Sequence, residues 1–298
     1  MSSPWLPPSS PPLGPPEPPA APPPPPAPPG TLRASAGPTA LLFGLGVAII
    51  MSSTFKRQMG DVSCAWRVPY APAGRAMAIW GIIFGWLMAS CIGQLGVSMG
   101  FDNVYAAEPW NNMLVGLALF GAGLWVLAFG CARREDNRGG LVISASFLVS
   151  STWCALGACT QELSWRGLDW VRIVWVGAPF ALFAGWMYVA SSLGVGVAWM
   201  AMRYPPDYRC FREAKPDSGV WTDEDAGPSR SCASWVPLLL SAPLCVAAVV
   251  LPDPVLPLPL AWAIVNTKGH SKSRLALALL VASSVSAVIV AYLEAWPV

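Results

Sequence analysis

The sequence predicts an all-α fold, a polytopic bundle of transmembrane helices. Only 11% of the 298 residues are charged and 54% are hydrophobic, whereas soluble globular chains carry roughly 25% charged residues. Four stretches contain no Asp, Glu, Lys or Arg: Ala76–Met99, Met113–Ala132, Gly139–Thr160 and Ile173–Met202. Each is long enough for a helix that crosses a hydrocarbon core about 30 Å thick. We therefore expect an integral, multi-pass membrane protein in contact with the lipid bilayer.

The first 38 residues differ from the rest. They contain the run Pro22–Pro26, with Glu17 and Arg33 as their only charged residues. A segment this rich in proline can form neither backbone ladders nor a core, so we expect a disordered tail with polyproline II character. Residues 39–298 are then the transmembrane domain. The tail is a candidate ligand for a polyproline-recognising protein, although a solvated tail without a partner is the simpler interpretation.

Hydrophobic runs and loop charges predict about eight helices. Their expected ranges are 39–54, 76–99, 112–132, 140–160, 173–202, 235–251, 254–267 and 275–293. Fifteen of the 18 basic residues fall in the first, third, fifth and seventh connections, which the positive-inside rule places on the cytoplasmic face. This alternation requires residues 254–267 to cross the membrane. Seven crossings is the alternative, and it would put Lys268, Lys272 and Arg274 on the opposite side.

Several functional classes find little support in the sequence. The basic residues are spread over short loops rather than gathered on one face, so we expect no nucleic-acid partner. The eight cysteines show neither CxxC pairs nor histidines at zinc-ligand spacing, so we expect no metal site. The charged loop 203–234 is interpreted as a solvated surface.

Catalytic residues are also not evident. His270, the single histidine, lies in a basic loop, and the predicted helix interiors offer Gln94, Asn111, Asn112 and Asn266 without paired carboxylates. Polar groups in a membrane are costly to bury and usually mark function. We therefore expect neither an enzyme nor an ion-coupled transporter. Binding or facilitated passage of an apolar molecule remains compatible with this sequence.

Tryptophan is unusually frequent, with 16 residues in the chain. Many fall at the ends of predicted helices, where an indole has its apolar body in lipid and its N–H at the headgroups. Others lie within apolar helices: Trp80, Trp86, Trp125, Trp186 and Trp199. These could wall a pocket for a flat ligand or simply pack. Gly81 and Gly85 form a GxxxG motif, and Gly185 precedes Trp186; we interpret all three glycines as close-packing positions between helices.

Two segments resemble the TspO/MBR group, the translocator and tryptophan-rich sensory proteins. The first, Pro69–Phe84, is similar to the opening of that group's second helix, with Ile79-Trp80-Gly81 at its centre. The second, Pro179–Ala190, is similar to the group's Pro-Phe-x-x-x-x-Gly-Trp-x-x-Val-Ala helix. Short translocator proteins have five helices, so the resemblance implies an enlarged relative.

The resemblance implies an intramembrane site for a tetrapyrrole or a similar hydrophobic molecule, with a sensory or transport role. The hypothesis names Trp80, Trp125 and Trp186 as ligand-binding residues, no catalytic residue and no bound metal. Two alternatives stay open. One is a non-catalytic structural or assembly subunit that uses its proline-rich tail, and the other is an uncoupled facilitator of small solutes.

Overall fold

The structure is a computed structural model that describes residues 40–50, 52, 68, 78–98, 109–131, 138–162, 170–203, 236–251, 253–266 and 271–295. These residues form eight helices and no strand. In chain order they are α1 Ala40–Ile50, α2 Ile79–Ser98, α3 Pro109–Cys131, α4 Arg138–Glu162, α5 Trp170–Arg203, α6 Val236–Val250, α7 Leu258–Val265 and α8 Ser271–Ala295. The predicted all-α bundle is confirmed. The tail 1–38 and nearly all of the loop 203–234 lie outside the described residues.

Helices α2 to α5 are long and apolar enough to cross a membrane. The predicted and observed ends of these four helices agree to within about three residues, because the charged residues that bound each apolar run also limit what lipid can solvate. Near its start, α5 contains one π-helical segment, Ile173–Gly177, which continues into regular α-helix.

Helix α5 lies at the centre of the bundle. In an apolar 18-residue stretch of its span 78% of the residues are buried, against 39–50% in the corresponding stretches of α2, α3 and α4. It packs along α4 and also contacts α2 and α7. Of the other helices, α3 packs on α4, and α8 packs on α6 and α7. Small side chains such as Ala181, Ala184 and Ala201 are fully buried. They allow neighbouring backbones to approach α5 where no hydrophobic effect drives helices together.

Two hydroxyl groups join α4 to α5. The side chains of Thr152 and Ser191 are hydrogen-bonded to each other. Each hydroxyl also lies within hydrogen-bonding distance of the carbonyl oxygens of Leu148 and Met187, at 2.8 to 3.1 Å. Polar contacts of this kind between membrane helices contribute about 0.6 kcal/mol on average. They fix the register in which α4 and α5 run past each other.

The seventh helix is shorter than the sequence predicts. Only Leu258–Val265 is helical, so α7 is about 12 Å long, less than half of a hydrocarbon core. The helix starts late because a proline disfavours helical backbone in the residue before it, and both Asp253 and Leu256 precede prolines. The count of eight helices is confirmed, but α7 alone cannot cross the membrane. That the chain crosses the membrane eight times stays a prediction.

The glycines have different roles from those expected. A β-carbon added at Gly81 or Gly85 would meet no atom of the described residues within 4 Å, so the prediction that this motif packs against a helix is wrong. At Gly185 the prediction holds. A β-carbon there would overlap the carbonyl oxygen of Leu256 and lie 3.0 Å from Cγ of Pro259. Close packing is therefore located between α5 and the start of α7.

Alanine substitutions at Gly185 and Gly81 should have different effects on the free energy of unfolding. Gly185→Ala should lower the free energy of unfolding by about 1–3 kcal/mol, because the clash is with backbone and cannot be relieved by a rotamer change. Gly81→Ala should leave stability unchanged or raise it by up to about 1 kcal/mol, since alanine favours helix over glycine. Thermal unfolding in detergent micelles measures both. Equal destabilisation by the two substitutions would contradict the assigned packing.

Candidate functional site: an aromatic cluster between α2 and α5

Three aromatic rings connect the start of α2 with the middle of α5. The ring centroids of Trp80 and Trp186 are 5.8 Å apart and their planes meet at 85°. Phe84, one helical turn after Trp80, stacks on it with centroids 4.9 Å apart and planes at 24°. Edge-to-face and offset-stacked pairs are the favoured arrangements of aromatic rings. The cluster therefore has a defined shape, set by one residue from α5 and two from α2.

Helical spacing explains how the cluster is built. Trp80 and Phe84 are four residues apart, so their side chains lie one above the other on the same face of α2. On α5, Trp186 is 1% exposed and lies between the fully buried Phe183 and Met187. Trp80 is only partly buried and packs against this core. The cluster thus extends from the interior of the bundle towards its surface along Trp80.

The indole N–H of Trp186 is buried and has no hydrogen-bond acceptor among the described residues. A buried donor without an acceptor costs about 1–3 kcal/mol, and indole N–H groups usually find a partner when buried. The site therefore holds one donor that a bound molecule with an acceptor atom could satisfy.

Trp125 lies elsewhere. It is on α3, 8% exposed, and its ring contacts Phe129 of the same helix, with centroids 5.9 Å apart. Its carbonyl oxygen accepts a 3.4 Å hydrogen bond from the Ser144 hydroxyl of α4, and its indole N–H is also buried without an acceptor among the described residues. Of the three predicted residues, the structure brings Trp80 and Trp186 together and places Trp125 on the α3–α4 side.

The connection between α6 and α7 lies behind Trp186, on the Gly185 side of α5. Irregular backbone at membrane depth must satisfy its hydrogen bonds within the protein, and this connection does so. Pro252, Pro254 and Pro257 have no N–H. The other five N–H groups from 251 to 258 are bonded as follows: Leu251 to Ala247 O, Asp253 to Ala248 O, Val255 and Leu256 to Asp253 Oδ1, and Leu258 to Val255 O, at 2.8 to 3.3 Å.

Asp253 supplies the acceptor for two of the five backbone N–H groups in this connection. Its carboxyl group is fully buried; Oδ1 accepts the two backbone bonds, and Oδ2 lies 3.9 Å from Sγ of Cys159 on α4, a weak thiol donor. The carboxylate therefore also ties the connection to the end of α4.

The sequence reasoning did not single out Asp253. It treated Pro252 and Asp253 as a plain connection, although aspartate between two prolines is a signal for a turn in which the side chain bonds the backbone two residues on. Trp153, which proves to be highly exposed in the middle of α4, was missed as well. No local sequence pattern marks its orientation.

Substitution of Asp253 tests its role in capping the turn. Asp253→Ala leaves the backbone N–H groups of Val255 and Leu256 without their acceptor and should destabilise the protein by about 2 kcal/mol. Asp253→Asn is the matched control, because it keeps an acceptor oxygen at the same place and should cost less. Thermal unfolding in nanodiscs measures both variants. An Ala variant as stable as the Asn variant would refute the turn-capping role.

The first five helices of the chain match a known protein family. The TSPO-like protein family matches residues 39–204, more than half of the 298 residues. The matched region contains α1 to α5 and all three predicted tryptophans, whereas α6 to α8, with Asp253 and Leu256, lie beyond it. The chain matches no curated protein and no solved structure. With its five matched helices, its two motif-bearing segments and three further helices, the chain belongs to the TSPO-like family as an enlarged, multi-pass membrane member.

Proposed function

We propose that this protein binds an apolar, planar molecule of the tetrapyrrole kind between its helices, without catalysing its conversion, in a sensory or transport role. The observation that carries the proposal is the edge-to-face pair of Trp80 and Trp186, one of whose indole N–H groups is buried without an acceptor. Ligand sites are commonly apolar and aromatic, with a few fixed polar groups that orient the ligand. The cluster has both properties.

The surroundings of Trp80 favour a flat ligand. Gly81 and Gly85 are exposed on α2 beside Trp80 and Phe84, and no described atom lies within 4 Å of the place where either β-carbon would be. This strip of α2 therefore carries no side chain over one helical turn. A planar ring system could approach the backbone there and contact the aromatic rings along its edge or face.

The opposite side of α5 supports the same proposal. Leu256 and Pro259 pack against Gly185, the residue before Trp186, and the Tyr188 hydroxyl donates a 3.2 Å hydrogen bond to the carbonyl oxygen of Leu240 on α6. These contacts hold the middle of α5 in place. A fixed backbone lowers the ordering cost of ligand binding, because Trp186 need not be immobilised when the ligand arrives.

Trp125 enters the proposal as a second contact. Its buried N–H without an acceptor resembles that of Trp186, but its position on α3 separates it from the aromatic cluster. We propose that Trp186 and Trp80 carry most of the affinity. Trp125 contributes if the ligand extends between α2 and α3 or occupies a site of its own.

Binding of protoporphyrin IX to the detergent-solubilised full chain tests the proposal. The absorption band of the porphyrin should be read rather than protein fluorescence, so that removal of a tryptophan does not change the signal itself. Trp186→Phe keeps a ring but removes the N–H, and should weaken binding roughly three- to tenfold, the value of one hydrogen bond. Trp80→Phe should weaken it similarly through lost aromatic contact.

The matched control is Trp170→Phe. Trp170 is 71% exposed at the start of α5, far along the helix from the cluster. Its replacement by phenylalanine should therefore leave porphyrin affinity unchanged. Trp125→Phe distinguishes one site from two, since a change in stoichiometry rather than affinity indicates a separate site. Failure of the wild-type protein to bind any porphyrin, or equal affinities of the Trp186, Trp80 and Trp170 variants, would overturn the proposal.

A further inference from the structure

The ring of Trp186 has no polar anchor of its own. Its indole N–H is buried and has no acceptor among the described residues, and its ring meets that of Trp80 edge to face, with centroids 5.8 Å apart. An edge-to-face pair depends on the direction of each ring as well as on the distance between them. The direction of the Trp186 ring is therefore set by packing and by the position of its own backbone on α5.

The turn of α5 that contains Trp186 is attached to four other parts of the chain. The attachments are Gly185 with Leu256 of the α6–α7 connection, Trp186 with Trp80 of α2, the Met187 carbonyl with Thr152 of α4, and Tyr188 with Leu240 of α6. Consecutive residues of a helix point about 100° apart, so these four residues face four directions. The attachments at Met187 and Tyr188 are hydrogen bonds, which have a preferred direction as well as a distance.

The bond to Met187 comes from the side of α5 that faces α4. The Thr152 hydroxyl lies 2.9 Å from the carbonyl oxygen of Met187, and Met187 directly follows Trp186 in the chain. The hydroxyl of Ser191, on α5 itself, lies 2.8 Å from the same oxygen. Thr152 and Ser191 are both buried, so water does not compete for these bonds.

The two hydroxyl groups contribute differently to the link between α4 and α5. They have one hydrogen each, and a serine that bonds the carbonyl four residues earlier stays within its own helix. Two contacts cross between the helices: Thr152 to Met187 at 2.9 Å, and Ser191 to Leu148 at 3.1 Å. The first is the shorter, and it ends on the residue beside Trp186. Thr152 thus holds the backbone that carries the ring.

We propose that Thr152 is a positioning residue of the candidate ligand site. By donating to the Met187 carbonyl it fixes the rotation of α5 that turns Trp186 towards Trp80. Thr152 belongs to α4, whereas the rings of the cluster belong to α2 and α5, so it acts through the backbone of α5. Its effect on affinity rests on the proposed function, but the orientation of Trp186 is a property of the protein without ligand.

Fluorine NMR of the full chain labelled with fluorotryptophan, in nanodiscs and without ligand, tests the orientation. The Trp186 resonance is identified by its absence from Trp186→Phe. Thr152→Val replaces the hydroxyl by a methyl group and should shift or broaden this resonance, because the ring moves relative to Trp80. Thr152→Ser keeps the hydroxyl and should restore the wild-type resonance. Thr160→Val is the matched control on the same helix, since the Thr160 hydroxyl donates a 3.0 Å bond to Gly157 O within α4.

The affinity for protoporphyrin IX is the second readout. Thr152→Val should weaken binding about threefold, the value of an average hydrogen bond between membrane helices, whereas Thr152→Ser and Thr160→Val should bind as the wild type does. The proposal is wrong if Thr152→Val leaves the Trp186 resonance unchanged, if Thr160→Val shifts it equally, or if Thr152→Ser does not restore it. A shifted resonance with unchanged affinity would also contradict it. A wild type that binds no porphyrin overturns the proposed function, while the resonance still decides the orientation of Trp186.

Discussion

The arrangement of the bundle depends on the close approach of two backbones at Gly185. The carbonyl oxygen of Leu256 lies where a β-carbon of any other residue would be, so the connection that begins the seventh helix can rest against the middle of α5. On its other side α5 presents Trp186 to Trp80. One helix therefore links the candidate ligand site to the three C-terminal helices, and any shift at Gly185 would be transmitted to the neighbouring tryptophan.

This approach is permitted because the connection needs no outside hydrogen-bond partners. A break between two apolar helices normally leaves free N–H groups, which are expensive away from water. Here three prolines remove donors from the segment, and the Asp253 carboxylate accepts two of those that remain. The same prolines that shorten α7 thus lower the number of backbone N–H groups that need an acceptor. A buried carboxyl group is tolerated because its oxygens are engaged with backbone and thiol donors.

Membership of the TSPO-like family is established for the five helices that match it, and the three additional helices give the enlarged protein its particular character. Of these, α7 packs on α5 and α6 accepts a hydrogen bond from Tyr188 of α5, both on the side away from the aromatic cluster, while α8 packs on α6 and α7. In this chain that side of α5 is therefore covered within the molecule.

The sequence by itself determined the number of helices, most of their ends and the family, because charge-free length and a few aromatic motifs are local properties that lipid selects directly. It could not determine which side of each helix faces a neighbour. In soluble proteins the apolar face of a helix reveals the core, but in a membrane the lipid-facing side is as apolar as the interior. Only the tertiary structure could therefore decide that Gly185 packs against a neighbouring segment whereas Gly81 does not, that Trp80 meets Trp186 while Trp125 lies apart, and that Trp153 faces outwards. The role of Asp253 was likewise hidden, since its two N–H partners become a requirement only once the connection is buried against α5.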